Sequence, residues 1–162
     1  MAHITLATAY LADDYATPAP TTPGGLQAHA FKFTNSVALV INDLLKLSML
    51  APGNSPGFVL FGFVIEVPAL DSSTGLLIDI GDSTSATRYV ASSVVGRSST
   101  NGRISSFDAL STTGVLSGTL PVTYTAQDDL VLKIHTAASG TPTTGGLITG
   151  AIYYQQLGLS SL

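Results

Sequence analysis

The sequence has no cysteine and no tryptophan, and it has few charged residues. Without cysteine the chain can form no disulfide framework, perform no thiol chemistry and offer no thiolate to a metal. Only 10% of the 162 residues are charged, whereas an average soluble domain has roughly 25%. Because so little charge keeps free subunits apart, we expect partner molecules to cover much of the surface.

The net charge and the length of the apolar runs argue against nucleic acid and membranes as partners. The formal net charge is −4, from six Lys and Arg against ten Asp and Glu, and nucleic-acid binding needs clustered basic side chains. The most apolar run, residues 58–67, contains Glu66 and is far shorter than the ~20 residues of a membrane-spanning helix. We therefore expect neither nucleic acid nor membrane as a partner, and the N-terminal residues do not have the pattern of a secretory signal.

Short apolar runs separated by Gly, Pro, Asn, Asp and Ser predict eight or nine strands. This pattern predicts an all-β, antiparallel β-sandwich, and the strand count and the lack of Cys and Trp favour a jelly roll over an immunoglobulin-like fold. Residues 28–41 alternate as one strand, whereas residues 96–114 are predicted to be a long loop. A helix over 37–50 remains an alternative. The apolar side of the 28–41 strand is formed by Phe31, Phe33, Val37, Leu39 and Ile41.

Residues 1–27 are predicted to form an extended N-terminal arm, and residues 28–162 a single jelly-roll domain. The arm contains a possible first strand at 4–11, followed by a segment rich in Pro and Thr that favours extended backbone. Such a segment suits contacts with another chain. The strand at 58–67 is apolar on both faces, which also suits a covered surface. The predicted partner interface therefore comprises Thr17, Pro18, Pro20, Pro23, Phe61 and Phe63.

The stretch LLIDIGDSTSATRY, residues 76–89, raises the question of catalysis. Its Gly-Asp-Ser block is similar to the nucleophile block of the Gly-Asp-Ser-Leu esterases, which would make Ser83 a nucleophile. Those enzymes supply the base from an Asp-x-x-His block, but Leu132 lies three residues before His135. The nucleophile also needs a strand-to-helix turn, and no helix is predicted after Ser83. We therefore predict a structural turn and no enzymatic activity.

The sequence offers few other candidates for a metal-binding or catalytic site. Asp79 and Asp82 are weak candidates for an ion site, because calcium needs more oxygen ligands at close spacing than two carboxylates supply. We expect no metal and no other cofactor. His29 and His135 are each predicted to lie on the solvent-facing side of a strand.

The order of these pieces resembles a known family. The run VALVINDLLKLSMLAPGNSPGFVLFGFVIEVPALDSSTGLLIDIGDSTSATRYVAS and the later run YTAQDDLVLKIHTAASGTPTTGGLITGAIYY resemble the capsid decoration and minor structural proteins of tailed bacteriophages. In these proteins an Asn-Asp turn, two apolar strands around a Pro/Gly loop, an Ile-Gly-Asp turn and a Gly-rich closing hairpin recur. The similarity extends over about residues 28–154.

The resemblance implies a virion protein without catalytic activity, assembled in the host cytoplasm and bound to the outer capsid surface. It implies a homotrimer at three-fold positions of the head that contacts the major capsid protein and stabilises the shell. Two alternatives stay open at this point. One is a head-fibre or tail component, and the other is a carbohydrate-binding jelly-roll module for host attachment.

Overall fold

The computed structural model describes residues 9–11, 25–50, 57–107, 115–116 and 120–157, and these form eleven β-strands and no helix. The prediction of an all-β fold is thereby confirmed. Within the same residues no helix has the length and hydropathy needed to cross a bilayer. The strands are β1 (Ala9–Leu11), β2 (Leu26–Asn35), β3 (Leu44–Leu50), β4 (Phe58–Val67), β5 (Leu77–Asp82), β6 (Val90–Ser93), β7 (Gly102–Ser105), β8 (Val115–Leu116), β9 (Val122–Tyr124), β10 (Asp128–Thr136) and β11 (Gly146–Gln156).

The strands form two sheets that pack face to face as a sandwich. Sheet A has the order β1-β3-β10-β5-β6-β8, and sheet B has the order β2-β11-β4-β7, with β9 paired to β4. All pairs are antiparallel except β1 with β3, which is parallel. Successive strands lie in different sheets except β5 and β6, which are neighbours in sheet A. Strand β10 lies between β3 and β5, and β11 lies between β2 and β4. This is the jelly-roll arrangement of two interlocked Greek keys.

One hydrophobic core fills the space between the sheets. Its largest side chains are contributed by both inner faces and are almost completely removed from solvent, which is the main source of stability in a chain without disulfides. Among the described residues, the largest that are fully buried are Phe31, Leu45, Leu47, Phe58, Leu60, Phe63, Ile65, Leu76, Ile78, Ile80 and Tyr89.

A β-bulge in β4 decides which of its aromatic residues face solvent. The register with β11 shifts between Tyr153 and Tyr154, so that Tyr153 pairs with Gly62 and Tyr154 with Leu60. Phe61 is the extra residue, and the inward alternation changes from even to odd positions across it. Phe61 is consequently 37% exposed, whereas Phe63 is completely buried.

Residues 36–43 form a loop, so the strand predicted over 28–41 ends earlier, at Asn35. Val37 and Ile41 are exposed, although they share the sequence parity of the core residues. The loop is held by the Asp43 carboxylate, which accepts a hydrogen bond from the Val40 amide at 2.8 Å. The helix considered over 37–50 does not form, because residues 44–50 pair as β3.

Two further predictions need correction. Residues 102–105 form strand β7 within the stretch predicted to be a long loop, and Ile104 is fully buried there. His29 was assigned to the solvent-facing side of its strand, but it lies on the same side of β2 as Phe31 and Phe33, and its Nε2 atom is buried. In a strand, residues two apart share a face, so this position follows directly from the parity of its neighbours.

The predicted N-terminal arm is described only in part. Within it, Ala9–Leu11 pairs with β3 at the edge of sheet A, and β2 begins at Leu26 at the edge of sheet B. Residues 1–8 and 12–24 lie outside the described residues, so the predicted boundary between arm and domain at 27/28 remains a prediction.

Candidate interaction surface

The Gly-Asp block is a closed turn between β5 and β6. The Oδ1 atom of Asp82 accepts hydrogen bonds from the amides of Thr84 at 3.1 Å and Ser85 at 2.8 Å. Gly81 is required here, because a Cβ atom at this position would lie 2.0 Å from the Ser85 carbonyl oxygen. The carboxylate therefore stabilises the turn itself, as Asp commonly does in loops.

Within the described part of the chain, the hydrogen-bond partners of Ser83 are two carboxylates. Its amide donates to Asp128 Oδ1 at 2.8 Å, and its hydroxyl lies 3.4 Å from Asp129 Oδ2. In the pairing of β5 with β10, Leu130 is opposite Asp82 and Ile134 is opposite Ile78. His135 therefore lies about 15 Å along the strand from Ser83. Ser83 is therefore not paired with this imidazole, which the esterase interpretation would require as its base.

Asp79 and Asp82 have separate partners on opposite faces of β5. Asp79 accepts hydrogen bonds from the Ser92 amide and contacts His135 Nδ1, each at 2.8 Å. Asp82 Oδ2 accepts from the Tyr124 hydroxyl at 2.8 Å and forms an ion pair with Arg88 Nε at 2.5 Å. The described residues contain no group of three or more His, Cys, Asp or Glu that could hold a metal ion.

Two buried tyrosines extend the Asp82 network into the core. The hydroxyls of Tyr89 and Tyr124 are hydrogen-bonded to each other, and Tyr124 donates to Asp82. Burial raises the pKa of Tyr89 to about 12, and burial together with Tyr89 and Asp82 raises the pKa of Tyr124 further. Both phenols therefore remain protonated at neutral pH. This network provides hydrogen-bond partners for polar groups at one end of the core.

A second buried carboxylate joins two loops at the opposite end of the sandwich. Asp71 is fully buried and lies in the loop between β4 and β5. Burial alone would raise its pKa, but hydrogen bonds from backbone amides outweigh that effect and lower the pKa to about 2. The donors belong to the β4–β5 and β10–β11 loops, at 2.9 to 3.3 Å, and are the amides of Ser73, Gly75, Leu76, Ser139 and Gly140.

The outer face of sheet B has an apolar area. Its register places Ala28, Tyr153 and Gly62 in one row across β2, β11 and β4, and Ala30, Ala151 and Val64 in the next. Leu26 is 67% exposed at the start of β2. The following row carries charge, because Lys32 and Glu66 flank Thr149. An apolar area bordered by both signs of charge is typical of an interaction surface.

An open groove crosses the apolar part of this face. It has a volume of about 490 Å³ and is lined by Leu26, Phe61, Phe107, Tyr153 and Gln155. The Phe107 ring is 60% exposed and meets the Tyr153 ring edge to face, with a centroid distance of 5.4 Å. It lies directly above Gly62, where any Cβ would overlap it. We call this feature the aromatic groove.

The two phenylalanines that were predicted to contact a partner lie in different environments. Phe61 lines the aromatic groove, whereas Phe63 points into the core and presents no side-chain surface to a partner. Thr17, Pro18, Pro20 and Pro23 lie outside the described residues. No pattern in the sequence marks Phe107 and Tyr153 as surface residues, because large apolar side chains in strands and loops more commonly belong to the core. The only available signal was Gly62, a residue without a side chain in an otherwise apolar strand.

No protein-family model matches the chain, and no curated protein matches its sequence. Two solved structures share its fold. A chain in the structure of the capsid of Ralstonia phage GP4 superposes with a TM-score of 0.67 at 20% identity, over 94% of this chain and 100% of that chain. A chain in the capsid asymmetric unit of cyanophage Pam1 superposes with a TM-score of 0.59 at 19% identity, over 86% of this chain and 91% of that chain. The protein thus has the fold of components of two phage capsids.

Proposed function

We propose that this protein is a structural subunit of a bacteriophage virion that binds the outside of the head as a decoration subunit. The observation that carries the proposal is the shared fold, which extends over the full length of the chain in the capsid of Ralstonia phage GP4. The resemblance of the sequence to decoration and minor structural proteins of tailed phages supports the same role. In this role the partners are the major capsid protein and further copies of the chain, arranged as a trimer.

The outer face of sheet B is the proposed contact surface. It combines the exposed apolar residues Leu26, Phe61 and Phe107 with small residues that allow another backbone to approach closely. Burial of apolar area supplies about 25 cal/mol per Å², and a chain with only 10% charged residues has little electrostatic attraction to use instead. If three subunits form one trimer, their three weak contacts with the capsid together give a stable attachment.

The proposal can be tested with phage heads that lack the protein. Purified protein is mixed with such heads and bound protein is measured by co-sedimentation, with electron microscopy of the decorated particles. We expect saturable binding at regular positions on the head. Phe61→Asp places a charge in the contact surface and is expected to weaken binding at least about tenfold, the effect of about 1.4 kcal/mol.

Val37→Asp is the matched control, because Val37 is also an exposed apolar residue but lies in the β2–β3 loop. This substitution is expected to leave binding unchanged. Density on the tail, or no binding to heads at all, would contradict the proposed position on the virion. Equal loss from both variants would contradict the assignment of the surface.

A further inference from the structure

We propose that the loop between β6 and β7 forms a pocket that binds a carboxylate group through the guanidinium group of Arg97. The pocket has a volume of about 410 Å³ and shares no lining residue with the aromatic groove. Its lining consists of Val94, Val95, Gly96, Arg97, Ser98, Thr100, Asn101, Gly102 and Arg103. These lining residues include two cations and no carboxylate, which favours a negatively charged ligand.

One edge of the Arg97 guanidinium group is fixed to the neighbouring β4–β5 loop. Its Nε atom donates to the Leu76 carbonyl, and its Nη2 atom donates to the Gly75 carbonyl at 3.4 Å. The backbone amides of the same two residues donate to the buried Asp71 carboxylate at 3.0 Å each. Because Arg97 is held in place before a ligand arrives, binding costs little of its conformational entropy.

The other edge of the guanidinium group carries the N–H groups that can bind a ligand. Arginine has five N–H groups, and the two carbonyls leave both of those on Nη1 and one on Nη2. Within the described part of the chain, no ion pair joins Arg97 to a carboxylate. Parallel N–H groups on Nη1 and Nη2 match the two oxygens of a carboxylate. Arg97 is half-buried, so a carboxylate would compensate a charge that water hydrates only in part.

Asn101 adds a neutral donor to the pocket. Its Oδ1 atom accepts a hydrogen bond from the Ala69 amide at 2.8 Å, and this contact assigns the orientation of the side-chain amide. The Nδ2 atom, which carries two N–H groups, is therefore the polar atom that Asn101 offers to a ligand. The pocket thus combines a charged donor with a neutral one.

The turn that carries Ser98 is strained. The Thr100 amide donates to the Arg97 carbonyl at 2.9 Å, and the φ angles of Ser98 and Ser99 are 53° and 56°. Two successive left-handed residues are typical of a type I′ turn, in which Asn and Gly are preferred to serine. Strained backbone is concentrated at sites that bind ligands. Ser98 lines the pocket, and its hydroxyl is a further donor.

The charge of the pocket favours a carboxylate over a phosphate. Arg103 also lines the pocket, but Glu66 lies opposite it in the pairing of β4 with β7. Arg97 is therefore the main source of positive charge for a ligand, and one guanidinium group matches the single charge of a carboxylate. The formal net charge of −4 opposes a dianion more strongly than a monoanion.

Nuclear magnetic resonance of the isotope-labelled, full-length protein measures such binding. Sodium acetate is the probe, titrated at pH 7 with sodium chloride holding the ionic strength constant. We expect saturable shifts of the Arg97 Nε and Asn101 Nδ2 signals, with a Kd in the millimolar range. Unsaturated shifts, or tighter binding of inorganic phosphate than of acetate, would overturn the proposal.

Two amino-acid derivatives identify the source of the carboxylate. Acetylglutamate amide represents an acidic side chain of a protein, and acetylglutamine amide is its neutral control. Tighter binding of the glutamate derivative than of acetate would assign the pocket to an acidic side chain, whereas equal or weaker binding would assign it to a small free carboxylate. Equal shifts with the glutamate and glutamine derivatives would overturn the proposal, because they would show that charge is not recognised.

Two substitutions remove the donors with little change in shape. Asn101→Asp keeps an acceptor for the Ala69 amide but replaces the donor by a negative charge. Arg97→Lys keeps the positive charge but loses the paired N–H groups. Each is expected to raise the Kd for acetate at least about tenfold, as the loss of a hydrogen bond to a charged group does. An unchanged Kd in Asn101→Asp would contradict the proposal.

Ser98→Gly and Ser99→Gly form a matched pair. Both serines have left-handed backbone, which glycine adopts without strain, but only Ser98 lines the pocket. Ser98→Gly is expected to raise the Kd for acetate about threefold, since one neutral hydrogen bond is lost, and Ser99→Gly to leave it unchanged. Equal effects of the two substitutions would also contradict the proposal, because they would trace the change to the turn and not to the pocket.

Discussion

Replacement of Asp71 by Asn is expected to destabilise the protein at neutral pH and to have little effect near pH 2. The two side chains have the same shape, but the Asn amide is neutral and carries N–H groups that cannot accept a hydrogen bond. Five backbone amides converge on the Asp71 carboxylate from two loops. The substitution therefore removes a charge from a site built only of donors.

The magnitude follows from the pKa of Asp71, which lies at about 2 instead of 3.8. Because the folded pKa is lowered, folding favours the ionised form. The resulting stability is fully present above about pH 4 and is lost as the pH falls towards 2. This lowering of the pKa corresponds to about 2 kcal/mol. The loops lie at the end of the sandwich near water, and solvent screening reduces this to about 1 to 2 kcal/mol.

Urea unfolding followed by circular dichroism between pH 2 and pH 7 measures this effect. The free energy of unfolding is compared for the unmodified protein, Asp71→Asn and Glu66→Gln, where Glu66 is an exposed carboxylate on β4. The difference for Asp71→Asn is expected to shrink as the pH falls from 4 to 2, whereas the difference for Glu66→Gln stays below about 0.5 kcal/mol throughout. A difference for Asp71→Asn that is independent of pH would refute the reasoning, because it would mean that shape and not charge holds the loops.

Four further substitutions test the core and the turn by the same urea unfolding at pH 7. Phe63→Ala should cost about 3 to 5 kcal/mol because it opens a cavity between the sheets, whereas Phe61→Ala should cost less than about 1 kcal/mol; similar losses would contradict the bulge in β4. Gly81→Ala should cost at least about 2 kcal/mol, since its Cβ would overlap backbone of the turn. Tyr124→Phe should cost about 1 to 3 kcal/mol, because the buried Asp82 loses a donor; no loss would show that Arg88 alone satisfies the Oδ2 atom of this carboxylate.

Much of the fold could be predicted from the sequence. Side chains alternate between the two faces of a strand, so the residues that face the core can be identified from their spacing. The inward residues of β2 and of β3 follow from simple alternation, as Phe31, Phe33, Leu45 and Leu47 show. The jelly-roll arrangement was predicted from eight or nine strands, whereas the described residues form eleven, and from the lack of the residues that mark an immunoglobulin-like fold. These inferences needed only local pattern and composition.

The candidate surface was less accessible to prediction. The bulge at Phe61 depends on the pairing of β4 with β11, a contact between distant parts of the chain. Without it, alternation from Phe63 assigns Phe61 and Phe63 to the same side, and both were predicted to contact a partner. The strand β7 was missed because Ile104 is its only large apolar residue, so that no alternation is visible over its four residues.

The outer faces of the two sheets differ in polarity, and only one of them is suited to binding another molecule. The outer face of sheet A carries the ion pair between Lys46 and Asp129, at 2.7 Å, and the contact between Asp79 and His135. Charged groups already paired within the subunit lose hydration when another molecule covers them, and gain little in return. The outer face of sheet B exposes apolar side chains instead, whose burial is favourable. If the protein has the proposed role, we expect it to turn sheet B and not sheet A towards its partner.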